Sequence, residues 1–222
     1  MRKLNKIIAA LFLAVFTISF SVIAVLNIRP VYYASMDRIQ AQNPQYSKEM
    51  MKENYDILID YLNPLDNSRL ELQGFEMSPQ GEFHFEEVKV LFNLVYIAAL
   101  VSLIASIGFF IYFRMQRDLS YIRYAAFFTF LIPLLLLIPF ALDFSRSFVI
   151  FHELAFSNDY WIFDPRIDPV INILPEWFFM IEAFLMVILM AILAVIQFFI
   201  GKGRGKDNGS NVYYDQRKYL IK

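Results

Sequence analysis

The stretch "IFHELAFSNDYWIFDP" (150–165) decides how this chain is to be folded. Before it lies a nearly unbroken apolar run. Within it the run gives way to His152 and Glu153, then to Tyr160, Trp161 and Phe163, and finally to Asp164-Pro165. A second Asp-Pro step follows at Asp168-Pro169, and each proline pushes the residue before it away from helical geometry. The stretch is therefore read as the point where a membrane-spanning helix reaches a surface and the chain turns back. His152 is one of only two histidines among 222 residues.

Working outward, the chain is too apolar for an ordinary soluble domain: 58% of its residues are hydrophobic and its mean hydropathy is +0.47. A spanning helix needs about 20 mostly apolar residues. Four segments qualify, at 7–26, 90–113, 124–142 and 178–200. The first has a conceivable cleavage site at Val22-Ile23-Ala24. It is read as an uncleaved anchor, because its apolar stretch exceeds the roughly 7–15 residues of a signal-peptide core. Basic residues set the orientation. Arg2, Lys3 and Lys6 precede the first span, Arg114, Arg117 and Arg123 lie between the second and third, and Lys202, Arg204 and Lys206 follow the fourth. With four spans all three clusters fall on one side, which the positive-inside rule makes cytoplasmic. Both termini are then cytoplasmic, and the acid-rich segments 27–89 and 143–177 face outward.

The expected fold is an all-α membrane protein, a four-transmembrane-helix bundle with a small extracytoplasmic α/β cap. Residues 1–26 form the N-terminal tail and first span, and 27–89 form the cap. Residues 90–200 carry three further spans with the outer loop 143–177, and 201–222 form a cytoplasmic tail. In the cap, Met51, Tyr55, Leu58, Ile59 and Leu62 follow the rhythm of an amphipathic helix, with Ser47 as N-cap and Asn63-Pro64 as its stop. "RLELQGF" (69–75) alternates Leu70 and Leu72 with Glu71 and Gln73, the period of a short strand, and "SPQG" (78–81) reads as a turn. A cap of this size cannot bury a sufficient core alone, so its apolar face is expected to dock on the bundle or the lipid interface.

The short connection at 114–123 makes the second and third spans an antiparallel hairpin. That brings His84, at the mouth of the second span, to the same membrane level as His152. Imidazole takes and returns protons near neutrality, and such help is worth about 10²–10⁴ in rate. The bland alternative for the histidines, as for Tyr160, Trp161 and Trp177, is anchoring at the headgroup level. Glu87, Glu153, Asp164 and Arg166 are the candidate supporting or substrate-binding groups. Arg166 suits a phosphate or carboxylate, while Asp164 is also a natural turn residue before proline. Glu182 lies inside the last span, where a charge costs about 2.5–3.5 kcal/mol unless it faces the interior. It reads as a bundle hydrogen-bonding group. The chain has no cysteine, hence no thiol nucleophile, no thiolate metal site and no lipidation site of its own. It has no G-x-S-x-G elbow, HExxH motif or phosphate loop, and the histidine spacing matches no zinc motif. No metal, cofactor or nucleic-acid partner is expected. The sparse polar residues of the spans trace no path for an ion. ATP chemistry is excluded at the outer face, which leaves hydrolysis or acyl exchange on lipid-linked groups.

Two blocks, "HFEEVKVLF" (84–92) and "FHELAFSNDYWIFDPRIDPVINILPEWFF" (151–179), resemble the lipoprotein intramolecular transacylase family, Lit, of bacterial membrane proteins. The resemblance extends over most of the chain. It implies an enzyme that moves the sn-2 acyl chain of a diacylglyceryl-cysteine lipoprotein onto the cysteine α-amino group, giving the lyso-form. It also implies that His84 and His152 are the catalytic pair, that no cofactor is needed, and that the partners are diacylglyceryl lipoproteins and membrane lipid. The protein would be a multi-pass protein of the bacterial cell membrane, with its active site at the extracytoplasmic face. The contrasting expectation is a non-catalytic membrane protein whose outer cap binds an exported protein or lipid.

Overall fold

A computed structural model describes residues 2–64 and 68–202. The basic tail residues Arg204 and Lys206, and the rest of the expected cytoplasmic tail beyond residue 202, lie outside the described residues. Seven α-helices are present among those described: α1 (Arg2–Leu26), α2 (Pro30–Gln42), α3 (Lys48–Tyr61), α4 (Pro79–Met115), α5 (Tyr121–Leu142), α6 (Phe144–Ala155) and α7 (Glu176–Lys202). Four of them, α1, α4, α5 and α7, are long and apolar enough to cross a membrane. Their outward faces are studded with exposed aliphatic residues such as Leu100, Ile104, Leu135 and Ile192, as a lipid-facing bundle requires.

The bundle is organised around α1, which packs against α4, α5 and α7, while α5 also pairs with α7. Small buried residues on α1, Ala9, Ala10 and Ala14, allow this close approach. Midway along, Gln197 Nε2 donates to Thr17 Oγ1 at 2.6 Å and Thr129 Oγ1 donates to Gln197 Oε1 at 3.3 Å, joining three helices by side chains that would otherwise be unpaired in lipid. At the end holding the basic clusters, Lys6 reaches Asp118 at 2.7 Å and donates to Ser120 Oγ at 2.8 Å, closing the turn between α4 and α5 onto the start of α1.

α4 is 37 residues long, about 55 Å at 1.5 Å per residue, against a hydrocarbon core about 30 Å thick. Its first turns therefore project beyond the membrane. The helix starts inside the segment expected to be a turn: Ser78 is the N-cap, accepting from Gly81 N at 3.0 Å, and Pro79 sits in the first turn, where its missing N–H costs nothing. The cap packs on this projecting end. α3 forms as its periodicity predicts, capped by Ser47, with Met51, Tyr55, Leu58, Ile59 and Leu62 buried. Tyr32 of α2 stacks on Tyr55 at 3.8 Å, and Phe178 of α7 meets both rings edge-on at 5.2 and 5.9 Å. Phe85, Val170 and Leu174 complete one core shared by cap, bundle and loop.

One expectation is corrected, and one segment gains detail. The cap is not α/β, for the described residues contain no strand. The alternation at 69–75 marks an extended segment that buries Leu70 and half-buries Leu72 against the cap core. Asn54 takes the place of a partner strand, donating from Nδ2 to Gln73 O at 3.0 Å and accepting from Gln73 N at 2.6 Å. The outer loop 143–177 is not all loop. Asp143 adopts extended geometry and accepts from Arg146 N at 3.0 Å, which ends α5 and starts α6.

The start of α4 is held by the loop before α7. Asp168, buried, accepts from Ser78 N at 2.7 Å and from Ser78 Oγ at 2.8 Å. A Cβ added at Gly81 would lie 2.4 Å from Asp168 Oδ1 and 3.2 Å from the Phe163 ring. Gly81→Ala is therefore expected to displace a pinned carboxylate and destabilise the protein by about 1–3 kcal/mol. Gly108→Ala, where the added methyl meets nothing, is expected to be neutral or slightly stabilising. Thermal unfolding of the two variants in lipid checks the contrast.

Candidate functional site

His84 lies in the second turn of α4, in the projecting part of that helix, and His152 lies near the end of α6. α5 rises through the bundle, and the Asp143 corner redirects the chain so that α6 carries His152 back over the start of α4. The two rings are 6.1 Å apart, centre to centre, and inclined at 36°. Both are buried, at 6% and 9% exposure.

Aromatic side chains form the walls. Phe156 flanks both rings, 4.8 Å from His84 and 5.6 Å from His152. Phe163 meets His84 edge-on at 5.4 Å. His152 lies between Phe148 at 4.2 Å and Trp161 at 4.8 Å. Phe148, His152 and Phe156 recur every four residues along α6 and the residue that ends it, so one helical face delivers all three rings.

The polar contacts fix the state of His152. Its Nδ1 lies 2.7 Å from the Phe148 carbonyl oxygen. A carbonyl can only accept, so Nδ1 carries the proton and Nε2 keeps its lone pair. Burial lowers the His152 pKa below 6.5, and the bond to Phe148 offsets part of that effect. The ring is thus a neutral imidazole at neutral pH with one nitrogen able to accept a proton. Nδ1 of His84 is buried with no hydrogen-bond partner among the described residues.

The acidic and basic candidates divide. Glu87, one turn along α4 from His84, touches neither ring. It accepts from Asn158 Nδ2 at 3.0 and 3.1 Å. Trp161 Nε1 in turn donates to the Asn158 carbonyl at 3.1 Å. Glu87 therefore ties the loop after α6 to α4 through Asn158, the residue whose carbonyl also receives Trp161. Glu153 is exposed, beside His152 in sequence but turned outward on the helix. Asp164 and Arg166 pair with each other at 2.6 Å on the rim, and the guanidinium holds the Asp164 carboxyl down at about 2. The structure brings neither of them to the histidines. Conversely Phe148, Phe156 and Asn158 build the site without having been singled out in the sequence, and Asp168, noted there only as a turn residue before proline, pins the start of α4. The fourfold spacing of Phe148, His152 and Phe156 is the one signal that pointed to any of them. Trp161, read as an interface anchor, is a wall of the site. The two histidines have no cluster of three or more His, Cys, Asp or Glu around them among the described residues that would hold a metal ion.

The model of the lipoprotein intramolecular transacylase family, Lit, matches residues 7–179. The solved structure of the membrane integral lipoprotein intramolecular transacylase Lit from Bacillus cereus is similar, with a TM-score of 0.87 at 30% sequence identity, over 90% of this chain and 94% of that one. Two variants of the same Bacillus cereus protein, with a histidine replaced by arginine in one and by alanine in the other, each match with a TM-score of 0.83 at 29% identity. The first match covers 90% of both chains, and the second covers 91% of this chain and 92% of that one. Curated proteins gave no match. With most of its length matched, this chain belongs to the Lit family of membrane-integral lipoprotein transacylases.

Proposed function

We propose that the His84–His152 pair catalyses an intramolecular acyl shift in a diacylglyceryl-cysteine lipoprotein, moving the sn-2 acyl chain onto the cysteine α-amino group and leaving the lyso-form. The observation that carries this reading is the meeting of the only two histidines, from distant parts of the chain, as buried rings 6.1 Å apart. Family membership supplies the substrate class. The basic residues at the opposite end of the bundle support an extracytoplasmic site and cap, with the N-terminus cytoplasmic. The division into tail, cap, spans and tail read from the sequence belongs to the same proposal.

The α-amino group, with a pKa of about 7.7–8.0, must shed a proton to attack. The free Nε2 of His152 accepts it. Nitrogen bonds to the ester carbonyl carbon and the carbon–oxygen bond to glycerol breaks, while the second proton leaving nitrogen passes through His84 to the departing glycerol oxygen, so that His84 ends as the neutral imidazole it began. Ester becomes amide, nothing is oxidised or reduced, and no cofactor is consumed. The reacting groups belong to one molecule, so holding it folded supplies much of the advantage through proximity. The aromatic walls exclude water that would otherwise hydrolyse the ester.

Expression in a host that makes diacylglyceryl lipoproteins, with tandem mass spectrometry of their N-terminal lipopeptides, tests the shift. Unchanged mass with one acyl group on nitrogen is the expected result, and acyl groups remaining on glycerol overturn it. His84→Asn and His152→Asn are each expected to lower the rate by at least about 10². Full activity in either variant removes that residue from the mechanism. A third measurement concerns protonation. In ¹⁵N-histidine spectra through the acid range, His152 is expected to take up its second proton at lower pH than a free imidazole, with the proton of its neutral form on Nδ1.

A further inference from the structure

Glu182 has no role in the chemistry above, yet it is 8% exposed, lies in α7, and its Oε1 is buried with no hydrogen-bond partner among the described residues. The partner expected for a bundle hydrogen-bonding group is missing, and no ion pair among the described residues includes this carboxyl. Its direction follows from the helix. Residues in α7 advance about 100° each, so Glu182 returns to the sector between Phe178 and Phe179, one turn deeper. Phe178 belongs to the shared core that also holds Phe85, the neighbour of His84. Phe179 meets the Phe148 ring at 5.7 Å, and Phe148 lies 4.2 Å from His152. Phe179 is thus one ring removed from His152, and the Glu182 carboxyl lies on the same face of α7, one turn deeper. Nδ1 of His84 is also without a hydrogen-bond partner among the described residues.

Resting on the acyl-shift reading, we propose that Glu182 is the binding group for the α-ammonium of the lipoprotein's N-terminal cysteine. A carboxylate in low-dielectric surroundings makes strong charge-assisted hydrogen bonds to an ammonium, and the cation removes the cost of leaving the carboxylate unpaired. Glu182 holds two N–H groups while the third proton goes to His152, which presents the nitrogen lone pair to the ester. The product is an amide and carries no charge there. The ion pair that captured the substrate is therefore absent from the product complex, and release follows from the chemistry.

The test is a binding measurement on the full chain in lipid nanodiscs, in a His152→Asn background that holds substrate without turnover. A diacylglyceryl-cysteine lipopeptide with a free α-amine is compared with its N-acetylated counterpart. Without a change at position 182 the free amine is expected to bind at least about tenfold more tightly. Glu182→Gln is expected to erase that preference by weakening the free amine alone, while Glu182→Asp keeps part of it. Removing an unpaired buried charge does not weaken folding, so the unfolding temperature of Glu182→Gln is expected to be unchanged or raised. Equal binding of the free amine before and after Glu182→Gln, or equal loss for both lipopeptides, overturns the inference. If the protein with both histidines leaves the acyl chain on glycerol, the acyl-shift reading itself fails. If it moves the chain and Glu182→Gln keeps the amine preference, only the role of Glu182 fails.

Discussion

A helix of about 55 Å cannot be hidden in a bilayer core about 30 Å thick, and the part of this protein around the start of α4 is arranged around that excess. The projecting turns of α4 carry the apolar side chains Phe85 and Val88, which join the shared core. α2, α3 and the segment before α7 supply the cover. Full burial of one such side chain is worth roughly 1.5–3 kcal/mol, so the shared core gives the small cap a reason to stay closed on the helix. The first turn of α4 would otherwise leave its amide groups to solvent. Ser78 and the Asp168 carboxylate engage it instead. His84 lies in the next turn, its surroundings set by the same contacts.

The site is chemically plain. It has two imidazoles, a wall of rings and few hydrogen bonds. On the acyl shift proposed above, this plainness has a physical purpose for a transfer between two parts of one lipid-bearing molecule. Polar side chains around the reacting ester would bring water, and water diverts an acyl group from nitrogen to hydrolysis. His152 takes its orientation from a backbone carbonyl of its own helix and not from a carboxylate. It is a weak base kept neutral, suited to taking a proton from an amine whose own pKa is close to neutrality.

The four spans were legible in the sequence because bilayer thickness sets a length scale that any apolar run of about 20 residues reveals. α3 was legible because its buried positions repeat at helical spacing and Ser47 marks its start. The meeting of His84 and His152 followed from counting spans. The strand at 69–75 failed because Leu70 and Leu72 alternate for packing against a helical core, and period-two burial does not require a neighbouring strand. The start of α4 was hidden because its projecting turns carry His84, Glu82, Glu86 and Glu87, which read as surface. Glu153 and Arg166 stand close to histidine or proline in sequence but point away from the site. Asn158 and Asp168 matter through contacts with α4, made across 71 and 90 residues, and no local pattern records such a contact.

The cover over the histidines joins early and late parts of the chain. Tyr32 OH donates to Ile173 O at 3.0 Å, Asn43 Nδ2 to Asn172 O at 2.8 Å, and Trp177 Nε1 to Gln42 Oε1 at 3.2 Å. During synthesis the first six helices therefore exist before the residues that complete the enclosure. α2 and α3 have no finished surface to close on until the segment ahead of α7 has emerged. Assembly is ordered by the direction of translation, and a chain that stops short of its last span holds both imidazoles yet lacks the enclosure around them. The enclosure around the two histidines is thus a property of the finished polypeptide alone.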